Sequence, residues 1–177
     1  MSTITTYQKL RFDPLHPDPE TVNKYDIAHA LSLLCRAGGH FAHFYSVAQH
    51  SVNCAKEAAA RGKTRRVILA CLLHDASEAY LADITRPVKA HLQRYLEIEE
   101  NLQNTIFRKW LSPALSEDEL AAVREIDDTL LYHEFLNIMK EKVFAQELPL
   151  HADCSFAEEP FKKVEQEFLF LLDSLSE

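Results

Sequence analysis

A histidine followed directly by an aspartate, His74-Asp75, lies inside a predicted helix that is otherwise apolar. The residues before this pair, among them Val67, Ile68 and Leu72, predict a helix that is buried on most sides. Burying an imidazole beside a carboxylate costs free energy unless both groups find partners. A divalent first-row metal ion would satisfy both, because such ions accept imidazole nitrogen and carboxylate oxygen as ligands.

An isolated His-Asp pair is more often a hydrogen-bonded pair in a protein core than a metal site. The metal interpretation therefore depends on further ligands. His50 and Asp127 fall on two other predicted helices, which can supply such ligands from facing sides. Adjacent residues of a helix point about 100° apart. His74 and Asp75 would then share one ion only at a helix edge that faces another element.

Helix signals surround these four residues. Ser46 and Ser116 are followed three positions later by Gln49 and Glu119, a spacing that is typical of the capping box. The alternation over residues 5–12 is compatible with a short N-terminal strand pair. The predicted helices begin near Val22, Ser46, Thr64, Leu92, Ser116 and Phe161, and they end near Cys35, Gly62, Pro87 at the latest, Trp110, Phe144 and Leu175.

The composition agrees with a helical protein. The chain has 177 residues, of which 47% are hydrophobic, and this is enough for one domain with a sizeable core. It has only three glycines and no glycine-rich phosphate loop, so side chains and a metal ion would have to hold a nucleotide. We predict an all-α bundle in a single domain over residues 1–177, with a core of about residues 22–146 and a C-terminal helix over about residues 161–175.

Charge and cysteine content restrict the class of partner and the compartment. The formal net charge of -8 disfavours nucleic-acid polymers, although a small anionic substrate fits if cations are concentrated locally. The cysteines Cys35, Cys54, Cys71 and Cys154 form no CxxC pair and no zinc-finger spacing. We find no signal-peptide core and no membrane-spanning run in the sequence, so we expect no membrane association and a reducing, cytoplasmic location.

The order of the four candidate ligands resembles the H…HD…D signature of the HD-domain superfamily of metal-dependent phosphohydrolases. Residues 46–51 (SVAQHS) resemble the segment around the first metal histidine of that family. Residues 74–89 resemble the HDxxE…D…VK stretch of its bacterial 5′-nucleotidase-like branch. The resemblance runs from about residue 26 to residue 134, and its full combination is far more specific than a His-Asp pair alone.

This resemblance implies a role for each matching residue. Glu78 matches the acid/base residue beside the metal-activated water, and Asp83 matches a second acidic residue of the same pocket. Arg36 matches, with a one-residue offset, an arginine that contacts the substrate phosphate. The implied metal ligands are His50, His74, Asp75 and Asp127.

Three assignments leave an alternative. Asp127 and Asp128 are neighbours, and we favour Asp127 because it follows Ile126 where related sequences carry a small apolar residue. His29 would either line the pocket or be a hydrogen-bonded structural histidine. Lys89 would either steer an anionic substrate into the pocket or be a solvated surface charge.

The expected activity is hydrolysis of a phosphomonoester, on a nucleoside 5′-monophosphate or a similar small phosphate. The expected cofactor is one divalent transition metal ion (Mn, Co, Fe, Ni or Zn), with Mg as a further candidate. The alternatives are a phosphodiesterase or pyrophosphohydrolase acting on a signalling nucleotide and, in another class, a non-catalytic metal-binding sensor or scaffold. Small bacterial members of this branch are often homodimers, and the apolar face of the C-terminal helix is the candidate interface, although such a face more usually closes its own core.

Overall fold

Four helices of this chain begin after a polar residue whose side chain accepts a hydrogen bond from a free backbone N–H group: Asn23, Ser46, Thr64 and Ser116. In the computed structural model, which describes residues 3–176, seven α-helices and one short antiparallel strand pair follow one another. The predicted all-α fold with an N-terminal strand pair is confirmed. The elements are β1 (Ile4–Thr5), β2 (Arg11–Phe12), α1 (Lys24–Leu33), α2 (Val47–Ala60), α3 (Arg65–Leu73), α4 (Arg86–Lys89), α5 (Gln93–Trp110), α6 (Glu117–Glu134) and α7 (Phe161–Ser176).

The two predicted capping boxes differ. Ser116 accepts a hydrogen bond from Glu119 N, and the Glu119 side chain accepts one from Ser116 N, so the box at the start of α6 is complete. Ser46 caps α2 by accepting from Gln49 N. The Gln49 amide does not return to the cap but donates to the carbonyls of Ser155 and Ala157. The prediction that the Gln49 side chain completes the capping box of α2 is therefore wrong.

The helix that leads to the His-Asp pair ends earlier than predicted. α3 stops at Leu73, and a single 3-10 turn, Ala76–Ala79, follows. Gln103 on α5 holds this end, since its side chain donates to Leu73 O and accepts from Ser77 N. His74 and Asp75 consequently lie in the bend after α3 and not inside a helix. The 100° separation of successive helical side chains does not apply to them.

α6 also ends earlier than predicted. A π-helical turn, Phe135–Met139, follows it, and Lys140 then adopts a φ of 61°. This left-handed conformation stops the helix before Phe144, which lies in the loop that follows.

The core lies around α2 and α3. These two helices pack against each other, and both contact α6 and α7. On α7, Val164, Phe168 and Leu172 recur every four residues and are buried, so the apolar face of this helix closes the chain's own core. The expected homodimer stays a prediction. No helix within residues 3–176 combines the length and the hydropathy that crossing a bilayer requires.

Candidate metal centre

Three separate parts of the fold bring the four predicted ligands together. His50 lies in the first turn of α2 and is fully buried. His74 and Asp75 occupy the bend after α3, and Asp127 lies in the second half of α6. Since α2, α3 and α6 pack against one another, residues that are up to 77 positions apart in sequence face the same point.

The distances between atoms of the four predicted ligands are equal to, or a few tenths of an ångström longer than, those expected around one shared ion. His50 Nε2 lies 3.2 Å from His74 Nε2 and 3.2 Å from Asp127 Oδ1. Asp75 Oδ2 lies 3.3 Å from His74 Nε2 and 3.7 Å from His50 Nε2. Two ligand atoms that each bind an ion at about 2.1 Å are separated by roughly 3.0 to 3.5 Å at right-angled or tetrahedral geometry.

The second nitrogen of each imidazole indicates which nitrogen carries the proton. His74 Nδ1 lies 2.8 Å from the carbonyl oxygen of Cys71, which can only accept, so Nδ1 is the donor. His50 Nδ1 lies 2.6 Å from Glu134 Oε1. In the neutral ring that binds a metal ion, an Nδ1 that donates leaves the lone pair on Nε2, and in both histidines Nε2 faces the other imidazole and carboxylate oxygens. That donor set fits a cation placed between them.

The charges around Asp75 and Asp127 favour the ionised form of both carboxylates. Burial opposes ionisation of Asp75, but His74 and Arg36 outweigh it and hold the pKa of Asp75 below its ordinary value. Burial likewise opposes ionisation of Asp127, but its contacts with His50 and His74 outweigh burial and hold the pKa of Asp127 well below the usual range. Both aspartates are therefore anionic at neutral pH, as metal ligands must be.

Glu134 is a residue of the centre that the sequence analysis missed. It is fully buried and accepts from His50 Nδ1 at 2.6 Å and from Arg36 Nε at 3.0 Å. Burial would raise the pKa of Glu134, but Arg36 and His50 lower it below its ordinary value. The available signal was spacing, because Glu134 follows Asp127 by seven residues and so lies on the same face of α6.

Arg36 lies beside the four predicted metal ligands. Its backbone N–H donates to Tyr45 O at 2.9 Å, which fixes the start of the 3-10 turn that carries it. Its guanidinium donates to Glu134, and also to Asp75 Oδ2 and Asp127 Oδ1, each at 3.3 Å. Three of its five N–H groups are thus used within the centre, which leaves two for another acceptor. The contact of Arg36 with a substrate phosphate stays a prediction.

Two further carboxyl groups face the same site with oxygen atoms that have no protein partner among the described residues. These atoms are Glu78 Oε2 and Asp83 Oδ2, and both are buried. Burial, reinforced by the charges of Asp75 and Asp83, raises the pKa of Glu78 to about 9. Burial also raises the pKa of Asp83. An unpartnered buried carboxyl oxygen is costly in a core, and its presence favours a role toward water or substrate.

Asp127 and Asp128 have different surroundings. Asp127 Oδ1 faces His50, while its Oδ2 accepts from Arg86 at 2.6 Å. Asp128 is half exposed, and its one ion pair among residues 3–176 is with the same arginine, at 2.6 Å. The structure thus brings Asp127, and not its neighbour, to His50, His74 and Asp75. We call these four residues the ligand cluster.

The two additional pocket residues are placed in different ways. Lys89 lies at the site, with its Nζ 3.4 Å from Glu78 Oε1 and 2.8 Å from Glu99 Oε1. His29 is not brought to it, since its ring stacks on Tyr7 at 3.6 Å and its Nδ1 lies 3.3 Å from Glu165 on α7. His29 takes the structural role that was its alternative.

Cys54 is a third kind of donor near the centre. Its Sγ lies 3.4 Å from His50 Nε2, and the donor atoms of His50, Cys54 and His74 lie within 4.8 Å of one another. Burial raises the pKa of the Cys54 thiol to about 11. The thiol therefore keeps its proton at neutral pH and is a weaker ligand than the ionised Asp75 and Asp127.

A cleft of about 510 Å³ opens from the ligands to the surface. Its lining includes both charged and apolar side chains. Its charged residues are Arg36, Asp75, Glu78, Asp83, Arg86, Lys89 and Asp127. A small anionic molecule placed there would contact both the ligand cluster and several cations.

Comparison with known proteins finds uncharacterized relatives of this chain. It is 40% identical over 119 residues to the uncharacterized protein YfdR of Escherichia coli (strain K12), a match that covers 66% of this chain and 63% of YfdR. It is 38% identical over 111 residues to the uncharacterized protein RCAP_rcc00048 of Rhodobacter capsulatus, covering 59% and 56% of the two chains. This chain thus spans less than two thirds of the length of either relative.

A family described as the HD domain matches residues 39–148, which is more than half of the chain. The matched segment contains all four residues of the ligand cluster, while Arg36 and α7 lie outside it. HD domains are generally metal-dependent hydrolases that hold divalent ions. With its ligand cluster inside the matched segment, this chain belongs to the HD domain family.

Proposed function

We propose that this protein is a divalent-metal-dependent phosphohydrolase that cleaves phosphomonoesters, with nucleoside 5′-monophosphates or similar small phosphates as substrates. The observation that carries the proposal is the arrangement of two kinds of group around one point. Two histidines and two ionised aspartates converge there, and beside them Glu78 and Asp83 direct unpartnered oxygens toward the same cleft.

The residues that would hold the ion are His50, His74, Asp75 and Asp127. When bound there, a divalent ion would supply a Lewis acid for a phosphoryl oxygen and would lower the pKa of a water molecule. Glu134 and the Cys71 carbonyl keep the two imidazoles in the orientation that presents Nε2. This support comes from the protein itself and is in place before any ligand arrives.

Glu78 is suited to hold and transfer a proton. Its pKa of about 9 leaves it protonated at neutral pH, so it can donate from the carboxyl group to a leaving oxygen. Lys89, which lies 3.4 Å from Glu78, stabilises the carboxylate that remains after the transfer. Asp83, with its free buried oxygen, would orient water or a sugar hydroxyl in the cleft.

Cations within the cleft would hold the phosphate. Arg36 has two N–H groups left for an acceptor, and Arg86 and Lys89 line the same cleft. Phosphoryl transfer depends mainly on positioning and on neutralising charge, and such an arrangement provides both.

The test is phosphate release from a panel of mononucleotides with Mn, Co, Mg, Ni or Zn, combined with metal analysis. We expect Glu78→Gln to lower turnover by roughly two to four powers of ten, because the proton donor is lost, while the bound metal stays near the wild-type content. The matched control is Glu99→Gln, which removes the other carboxylate partner of Lys89 and should keep most of the activity.

Two results would contradict the proposal. One is a Glu78→Gln variant with full phosphatase activity. The other is a wild-type protein that binds metal and releases no phosphate from any nucleotide of the panel. The second result would favour a metal-holding sensor domain.

A further inference from the structure

The cleft that opens from the ligand cluster has a second end that the proposed chemistry does not use. Four apolar side chains line this end, and we call them the apolar wall: Leu131, Phe135, Val143 and Phe144. None of them carries a side-chain hydrogen-bonding group. A phosphate alone would fill only the charged end, so the remaining space accommodates another part of the substrate.

α6 connects the two ends. Asp127 and Leu131 on α6 and Phe135, the first residue of the π-helical turn, follow one another at intervals of four residues. Because Phe135 keeps helical backbone angles, the three lie on one face, and all of them line the cleft. At 1.5 Å per residue, Leu131 lies about 6 Å and Phe135 roughly 12 Å beyond Asp127 along the helix axis. The distance from charged end to apolar wall is thus set by one rigid element.

Each aromatic residue of the apolar wall packs against another aromatic ring. Phe135 packs edge-to-face on Phe41, with the ring centroids 5.2 Å apart. Phe144 stacks on Tyr132, with centroids 6.4 Å apart and an interplanar angle of 19°. Both phenylalanines are only partly buried. They therefore form a pre-ordered aromatic surface, and a ligand that binds against it does not have to order it first.

We infer that the apolar wall seats a flat ring of the substrate, so that this protein prefers phosphates which carry a nucleobase or another aromatic ring. This inference rests on the proposed phosphohydrolase function and names a specificity site for it. A nucleoside 5′-monophosphate has the matching layout, with a phosphate at one end, a planar ring at the other and a sugar between them. Asp83 also lines the cleft, and its buried Oδ2, which has no partner among the described residues, is available to a sugar hydroxyl.

The same wall predicts which substrates are not distinguished. Ring stacking on an aromatic side chain tolerates any base, because every base has a π face. Discrimination between bases requires hydrogen bonds to their edges, and the four wall side chains offer none. The preference is therefore for a ring over no ring, with little preference between purines and pyrimidines.

The test compares nucleoside 5′-monophosphates with ribose 5-phosphate, which keeps the sugar and the phosphate and lacks the base. For Phe144→Ala we expect the KM for the nucleotides to rise roughly 5- to 150-fold, with no comparable rise for ribose 5-phosphate. Phe144→Leu keeps an apolar side chain without the ring and should show the same pattern if Phe144→Ala folds poorly. The matched control is Phe170→Ala on α7, where the ring is 71% exposed and does not line the cleft.

Equal kinetics of the wild-type protein on both substrates, with no change in Phe144→Ala or Phe144→Leu, would overturn the inference and leave the proposed function intact. Binding of a nucleoside 5′-phosphonate, which releases no phosphate, decides the inference even if the protein turns nothing over. Weaker phosphonate binding by the Phe144 variants than by Phe170→Ala supports the apolar wall. Equal binding by all of them refutes it.

Discussion

Each histidine of the candidate centre has one ring nitrogen committed to a fixed acceptor and the other directed at the ligand cluster. For His74 the acceptor is a main-chain carbonyl, which a side-chain substitution does not remove. For His50 it is the side chain of Glu134, 2.6 Å away. Glu134 is therefore the position at which the orientation of a predicted ligand can be changed without touching the ligand.

We predict that Glu134→Gln lowers the affinity for the divalent ion by about 10- to 100-fold. A glutamine keeps the volume, but its neutral amide is a weaker acceptor for His50 Nδ1 than a carboxylate is. The measurement is a metal titration of the purified protein. Glu125→Gln serves as the control, because Glu125 lies on the same helix with a side chain that is 65% exposed. An affinity that is unchanged in Glu134→Gln would show that His50 does not depend on this contact.

At this scale, residue types and their order in the chain predicted which residues lie together in the ligand cluster. They did not predict the residues that hydrogen-bond to the cluster and orient it. Glu134 lies on the same helical face as Asp127, and nothing in that spacing shows that His50 will pack against it, 84 positions away. The same limit applies to His29, whose contact with Glu165 joins residues that are 136 positions apart. Such contacts depend on how helices pack, which helical periodicity alone does not specify.

Among the elements, α2 carries two different functions on two faces. One face presents His50 to the ligand cluster. The other presents Gln49, Asn53 and Glu57, spaced four residues apart, to the backbone of residues 151–157. The segment before α7 is thereby attached to the helix that holds the first predicted ligand.

Glu57 holds this segment through a buried carboxylate. It is fully buried and accepts from Arg61 Nε at 2.6 Å and from the backbone N–H groups of His151 and Ala152. Burial would raise the pKa of Glu57, but the hydrogen bonds from Arg61 and His151 outweigh it and hold the pKa below its ordinary value. Because the folded pKa is lower than the unfolded one, ionised Glu57 contributes stability above about pH 4.3. That contribution is lost as the pH falls through the folded pKa.

We predict that Glu57→Ala lowers the free energy of unfolding at pH 7 by about 3 kcal/mol, because Arg61 and two N–H groups lose their buried acceptor. Urea denaturation at several pH values measures it. The variant should also lose less stability than the wild-type protein as the pH falls below about 4.3, because it lacks the contribution of ionised Glu57.

The matched control for this prediction is Glu167→Ala, which removes a partly exposed carboxylate that pairs with Lys56 on α2. An exposed ion pair contributes little, so its unfolding free energy should stay within about 1 kcal/mol of the wild-type value. Equal effects of the two substitutions would contradict the role assigned to Glu57.

The elements themselves were largely predictable, since caps and periodicity are local signals. Ser46, Thr64 and Ser116 each cap the helix that the sequence assigns to them. The bend at His74-Asp75 was not predictable, because Gln103 on another helix holds it. Gln49 shows the same limit, since its amide is used by a segment more than 100 residues away.

In the whole molecule, an acidic chain collects cations where an anion would bind. The net charge is -8, yet Arg36, Arg86 and Lys89 all line the cleft beside the ligand cluster. A small phosphate is therefore compatible with this acidic chain, because its cations are collected at the cleft.

The ligand cluster also depends on the whole fold, because α2, the bend after α3 and α6 each supply part of it. Its members were predictable from their resemblance to a family pattern, and the HD domain match over residues 39–148 agrees with that pattern. The apolar wall was not, since it combines α6, the π-helical turn and the loop that follows, where a continuous helix was predicted.

Metal content in two neighbouring variants tests the central claim most directly. Asp127→Ala and Asp128→Ala remove the same side chain from adjacent positions of α6, and only Asp127 faces His50. After loading with divalent ions and desalting, elemental analysis should find one ion per chain in the wild-type protein and in Asp128→Ala, and little or none in Asp127→Ala. Equal metal content in Asp127→Ala and the wild-type protein, or loss of the ion in Asp128→Ala alone, would contradict the account.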